Sequence, residues 1–153
     1  MCIRDRFKAD FEDKEPKPVI IGITGTNGKT STALLLAQAL RYQNKKIGVI
    51  SSEGAGIYPN LSENEYTTPP LDINYKYLRS FCKKKCDYVI IECSSQGLHQ
   101  GRLDGIHFTY SIITNIDQDH IEYHKSQKNY ISSKLKILNQ SRISIINLSL
   151  IHI

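Results

Sequence analysis

Six residues near the start of the chain, Gly25-Thr26-Asn27-Gly28-Lys29-Thr30, combine the types that together hold phosphate. Glycine and asparagine tolerate unusual backbone angles, so a turn built from Gly25, Asn27 and Gly28 can aim N–H groups at anionic oxygens. Lys29 supplies a cation that reaches outer phosphates, and the Thr30 hydroxyl is an oxygen ligand of the kind Mg²⁺ takes. This spacing predicts nucleotide binding, with Gly25, Thr26, Asn27, Gly28, Lys29, Thr30 and Ser31 as the contacts. The strict pattern wants glycine five residues before the Gly-Lys pair, where this chain has Ile23. The motif is therefore a variant, and its bland alternative is a plain turn between strand and helix.

Glu92 ends the apolar run Tyr88-Val89-Ile90-Ile91. An acid at the C-terminal end of a buried strand lies where ligands collect in doubly wound sheets, and beside a phosphate loop it helps hold Mg²⁺. Further on, Asp117, Asp119, His120 and His124 crowd one short polar stretch. His120 and His124 have the i, i+4 spacing of a zinc pair, but Glu122 stands one position later than a zinc peptidase requires. Cys82, Cys86 and Cys93 form no zinc-ligand pairs, and no disulfide framework is expected; this usage suits a reducing cytosol. His99 and His107 have no evident partner.

These groups need a scaffold. Residues 19–23, after Pro18, read as a buried strand, and 33–40 as a helix. A second strand is expected at 46–51, a long loop at 52–70 and a helix at 71–85 with Leu71, Tyr75, Leu78 and Cys82 on one face. A third strand follows at 87–93, an irregular polar segment at 94–105 and a fourth strand at 108–115. A helix at 129–138 and a fifth strand at 143–147 complete the order. Alternating strand and helix predict an α/β fold with a mostly parallel, doubly wound sheet and right-handed crossovers.

The 153 residues suit one domain, and 40% apolar with 23% charged residues is ordinary for a soluble globular protein. No apolar run approaches the roughly 20 residues of a membrane span, and no signal peptide opens the chain. Membrane contact is not expected. Much of the net charge of +5 comes from Lys83-Lys84-Lys85 and Lys45-Lys46, which read as solvated helix ends or loops. They lack interleaved aromatics, so no nucleic-acid partner is expected.

Both ends look foreign. Residues 1–6 can be encoded by a DNA string whose reverse complement encodes residues 148–153, Leu-Ser-Leu-Ile-His-Ile. Matching inverted ends of this kind resemble a sequencing-library transposon adapter. The expected organisation is adapter translation at 1–6 and 148–153, a charged, proline-punctuated linker at 7–18, and a partial domain at 19–147. Codons lying inside a continuous natural gene would refute the adapter reading.

Four motifs in order carry a resemblance to a known family. They are Gly-Ile-Thr-Gly-Thr-Asn-Gly-Lys-Thr-Ser-Thr at 22–32, Thr-Thr-Pro at 67–69, Glu-Cys-Ser-Ser-Gln-Gly-Leu-His-Gln-Gly-Arg-Leu-Asp-Gly at 92–105, and Thr-Asn-Ile-Asp-Gln-Asp-His-Ile-Glu-Tyr-His at 114–124. With Asn-Tyr-Ile-Ser-Ser-Lys-Leu-Lys-Ile-Leu at 129–138, the chain resembles the central ATP-binding domain of the Mur ligases, most closely the MurE type. The resemblance implies a cytoplasmic bacterial enzyme, expected to be monomeric. Such an enzyme uses ATP to phosphorylate UDP-N-acetylmuramoyl-L-alanyl-D-glutamate, and an amino acid then attacks the acyl phosphate, forming an amide in peptidoglycan synthesis. It implies catalytic roles for Lys29, Lys134 and His120. Mg²⁺ ligands would be Thr30 and Glu92, with His120 and a carbamylated Lys134 serving further metal. On composition alone Lys134 would be an exposed helix lysine like Lys136. Thr67, Thr68, Ser94, Gln100 and Arg102 would contact the muramoyl-dipeptide. Gln96, Tyr66, Pro70 and Gln118 depart from the family pattern. The resemblance further implies an upstream domain for the UDP sugar and a downstream one that selects diaminopimelate or lysine, so the fragment alone is expected to be inactive. Rival readings are a folylpolyglutamate- or cyanophycin-synthetase-type ligase, or an ATP-binding module without ligase activity.

Overall fold

Short β-branched runs alternate with helix formers, and a computed structural model, which describes residues 17–117 and 121–147, resolves this alternation into one sheet flanked by helices. In chain order the elements are β1 (Val19–Thr24), α1 (Lys29–Tyr42), β2 (Ile47–Ser51), β3 (Gly54–Ile57), β4 (Asn60–Ser62) and α2 (Leu71–Lys83). Then come β5 (Tyr88–Glu92), α3 (Ser95–His99), β6 (Phe108–Ile113), α4 (Ile121–His124), α5 (Gln127–Leu135), a 3₁₀ turn (Lys136–Gln140) and β7 (Ser141–Ile146). The strand order is β4-β3-β2-β5-β1-β6-β7. β2, β5, β1, β6 and β7 run parallel, while β3 and β4 are antiparallel additions at one edge.

The sheet is covered on both faces. Ala33 and Ala37 of α1 pack with Ile21, Ile23, Ile47, Val49 and Ile90 in one cluster. On the other face Tyr75, Leu78 and Phe81 of α2 join Ile50, Val89, Ile91, Leu98, Leu103 and Phe108. Small residues on α1 let it lie close to β1 and β2, whereas α2 inserts large side chains at helical spacing. This is the doubly wound α/β architecture expected from the alternation.

The five expected strands are present, and residues 52–70 are corrected. They hold a β3–β4 hairpin, not a structureless loop. The reason is local: Gly54 has φ +133, and a Cβ there would meet the Ser62 carbonyl oxygen, so glycine permits close approach of the neighbouring strand. Gly-Ala-Gly carries no apolar alternation by which to recognise a strand. The irregular segment 94–105 contains α3, whose first turn is capped by the Ser94 Oγ accepting from Gly97 N at 3.0 Å. Lys45, Lys46, Lys83, Lys84 and Lys85 are exposed, as expected. Among the described residues no helix is long and apolar enough to cross a membrane.

Parallel strands put their C-terminal ends on one edge, so Ser51, Glu92, Thr24 and Ile113 finish side by side. The segments leaving those ends carry the candidate chemistry.

Candidate active site

β1 delivers the chain into Gly25, where φ is +154 and a Cβ would strike Thr114 Oγ1. Gly28, at φ +79, is the N-cap of α1, and a Cβ there would meet nothing within 4 Å. The loop is held from the end of β6. Thr26 N donates to Asn115 O at 3.0 Å, Asn27 N to Asn115 Oδ1 at 2.8 Å, and Thr114 Oγ1 to Asn27 O at 2.7 Å. The amides of Thr26 and Asn27 are therefore engaged by Asn115. The donors lacking intrahelical partners are those opening α1, at the positive end of its dipole. Lys29 folds back, its Nζ donating to Gly25 O and Thr26 O at 3.0 Å each.

Glu92, 2% exposed at the end of β5, stands against the first turn of α1. Thr30 Oγ1 lies 3.0 and 3.1 Å from its two carboxylate oxygens. Ser52, just past β2, donates to Glu92 Oε2 through its N at 3.0 Å and its Oγ at 3.2 Å, with Thr30 Oγ1 2.9 Å from Ser52 Oγ. Three oxygen-bearing side chains thus converge from three chain segments. That is a hard-oxygen set of the kind Mg²⁺ binds through one or two carboxylates, substrate phosphates and water, so these residues fit the ion. Among the described residues no group of three or more His, Cys, Asp or Glu gathers, here or elsewhere; this set has one carboxylate and two hydroxyls. Ser52 was missed in the sequence because it lies in the segment read as loop; its place directly after a strand next to that of Glu92 was the available signal.

Lys134 is not an exposed helix lysine. It is 1% exposed on α5, with Nζ 2.6 Å from Gly25 O and 4.6 Å from the Tyr130 ring centroid. A carbamate would keep one N–H on Nζ to donate to the Gly25 carbonyl. Tyr130, 0% exposed, also hydrogen-bonds Thr26 Oγ1 through its hydroxyl at 2.9 Å. His120 lies outside the described residues, as do Gln118, Asp119 and residues 1–16 and 148–153.

A cavity of about 430 Å³ is lined by Lys29, Glu92, Tyr130 and Lys134 together with Tyr66, Thr67, Thr68, Ser94, Gln96 and Arg102. Not every expected contact faces it in the same way. The Thr68 hydroxyl is committed to the fold, donating to Glu92 O at 2.8 Å and accepting from Ser94 N at 2.9 Å. Gln100 is outside the lining and bridges Arg102 Nε and the Tyr123 hydroxyl at 2.8 Å each. Arg102 Nη1 donates to Thr68 O at 2.8 Å, and its guanidinium lies 5.3 Å from the Tyr66 ring centroid. Cys93, beside Glu92, is fully buried, and burial pushes its thiol well above the usual range. It is packing, not a nucleophile.

The Mur ligase middle domain family model matches residues 23–150. A UDP-N-acetylmuramoyl-L-alanyl-D-glutamate–2,6-diaminopimelate ligase from Wigglesworthia glossinidia brevipalpis is 40% identical over 124 residues, covering 81% of this chain and 25% of the relative. A solved structure of an enzyme of that name superposes with a TM-score of 0.83 at 30% identity, covering 95% of this chain and 29% of that one. E. coli FolC with DHPP and ADP shares the fold at a TM-score of 0.64 and 19% identity. The chain spans about a quarter of the length of the curated relatives it matches. Matched along most of its length, the chain belongs to the Mur ligase middle domain family.

Proposed function

We propose that this chain is the ATP-binding part of a longer, cytoplasmic bacterial ligase that adds an amino acid to UDP-N-acetylmuramoyl-L-alanyl-D-glutamate. The names of its relatives favour diaminopimelate as that amino acid. The observation that carries this reading is the shared cavity, where Lys29, Glu92 and Lys134 face the same space as Thr67 and Arg102. A phosphate donor and a carboxylate acceptor held in that common space would meet.

The residues divide the work. The opening turn of α1 receives the phosphates, and Lys29 exchanges its two loop carbonyls for phosphate oxygens. Bound at Thr30 and Glu92, Mg²⁺ would neutralise charge on the transferring phosphoryl group. Arg102 offers a planar fork that orients the substrate carboxylate. A carboxylate oxygen bonds to the γ-phosphorus as the bond to the β-phosphate oxygen breaks, releasing ADP. The amine then bonds to the acyl carbon, the bond to phosphate oxygen breaks, and the amine's proton passes to solvent or base. Phosphoryl transfer of this kind is mainly positioning and charge neutralisation.

Lys134 is proposed to carry a carbamate, formed when its neutral amine adds CO₂ and releases a proton. Its burial keeps the group from water, and the anion adds an oxygen ligand to the cavity. A ¹³C-carbamate resonance from protein equilibrated with labelled bicarbonate, absent in Lys134→Arg, tests this. His120 is proposed as a further metal ligand by its motif position.

Hydroxylamine trapping tests the function. With ATP and the muramoyl-dipeptide, the full-length enzyme should yield a hydroxamate from the acyl phosphate. ATP binding without hydroxamate would favour a nucleotide-binding module. The 153-residue chain alone is expected to release no ADP, since three quarters of the relatives' length is missing from it. The terminal hexads are proposed to be adapter-derived, although the family match runs to residue 150, and sequencing the source DNA outward would test this.

A further inference from the structure

One buried side chain, unused by the chemistry above, ties together the two segments that carry the substrate contacts. Asn74 lies in the first turns of α2 and is 0% exposed. Its Nδ2 donates to Pro69 O at 2.7 Å and to Arg102 O at 3.0 Å. Both amide hydrogens are thereby used. Turning the amide over would set Oδ1 against two carbonyl oxygens, so the contacts fix its orientation. Among the described residues Oδ1 has no hydrogen-bond partner. A buried amide with one unpaired atom serves stability poorly; what it does supply is a fixed distance between two stretches of backbone.

Those stretches are 66–70, with Thr67 and Thr68, and 100–105, with Gln100 and Arg102. They are also joined through the Arg102 guanidinium, which donates to Thr68 O and lies 5.3 Å from the Tyr66 ring centroid, while its Nε is held within the second segment by Gln100 Oε1. A substrate carboxylate would be met by the remaining guanidinium N–H groups. If the backbone of Arg102 shifts against Thr68, the fork is re-aimed. We infer that Asn74 is a positioning residue: it sets the spacing of segments 66–70 and 100–105, and through it the aim of Arg102 at the substrate carboxylate. This rests on the ligase reading above. Segment 66–70 meets the nucleotide side at the Glu92 backbone, where Thr68 Oγ1 donates to Glu92 O at 2.8 Å, while the Glu92 carboxylate is held separately by Thr30 and Ser52.

The test is Asn74→Asp in the full-length ligase, a change of equal size that replaces two donors with acceptors facing carbonyls. Asn74→Ser, which keeps one short donor and adds no charge, guards against a variant that fails to fold. Thermal melting reports folding in both. The expected result is a fall in kcat/KM for the muramoyl-dipeptide on the order of 10- to 100-fold, an unchanged KM for ATP, and faster amide exchange in segments 66–70 and 100–105. Tyr75→Phe is the control: its hydroxyl donates to Asp104 O at 3.2 Å, a tie from α2 to the second segment. It should leave both KM values in place. An unchanged kcat/KM for the dipeptide in both Asn74 variants, or a parallel rise of both KM values, overturns the inference. No dipeptide-dependent ADP release by the unsubstituted enzyme would instead overturn the ligase reading, and the exchange rates, read without substrate, still judge the tie.

Discussion

The Thr30 hydroxyl and the Glu92 carboxylate, 62 positions apart in sequence, are hydrogen-bonded at 3.0 and 3.1 Å. The first turn of α1 and the end of β5 are thereby locked together before any ligand arrives. An oxygen pair placed in advance costs little reorganisation when a cation and phosphates bind.

Glu92→Gln keeps the shape of the side chain and removes its charge. Turnover of the full-length enzyme should fall about 10²- to 10³-fold, as for loss of a preorganised charge-stabilising group. More Mg²⁺ should be needed for half-maximal rate, while the circular dichroism spectrum stays unchanged. A magnesium titration of the initial rate measures this.

Gly25→Ala and Gly28→Ala separate crowding from backbone strain. An alanine at 28 meets open space but keeps a left-handed φ, at a cost of roughly 1–2 kcal/mol. At 25 the new methyl strikes Thr114, so the loop must move and nucleotide affinity should drop further. Urea midpoints with nucleotide titrations on both variants distinguish the two effects.

Tyr130→Phe removes the hydrogen bond to Thr26 and leaves the ring beneath Lys134. The expected cost is about 1 kcal/mol of stability, with a raised KM for ATP and an unchanged KM for the dipeptide. Steady-state kinetics with each substrate varied in turn would show whether the hydroxyl serves the phosphate loop.

Burial raises the thiols of both Cys86 and Cys93, so the reactive thiolate is suppressed in the folded chain. Among the described cysteines, alkylation should therefore mark the half-buried Cys82 first and Cys93 only on unfolding. The sign for stability follows: unfolded thiols ionise near pH 8.5 and the folded ones do not, so stability should decline as pH rises above about 8.5. Mass spectrometry of the alkylated protein and urea midpoints at about pH 7 and about pH 9.5 check both statements.

Most of this scaffold was legible because its signals are local. β-branched runs gave the five parallel strands, and the helix formers at 33–40 gave the body of α1, which begins earlier, at Lys29. The β3–β4 hairpin was hidden because its strand residues include Gly54 and Gly56, which leave no alternation to read. Within the site, Thr30 and Glu92 were legible by type and position. Ser52 and Asn74 were not, because their importance lies in contacts with Glu92, Pro69 and Arg102 that no spacing along the chain reveals. Lys134 needed the family resemblance: its burial depends on packing around Tyr130 and Gly25, and sequence alone left it on a helix surface.

The most direct test of the central claim is ADP release by the full-length enzyme, with mass spectrometry of the products. ADP release sustained beyond a single turnover should require ATP, Mg²⁺, the muramoyl-dipeptide and diaminopimelate together, alongside a product heavier by that amino acid less one water. ADP release indifferent to the muramoyl-dipeptide, or no amide product with all four present, would contradict the account.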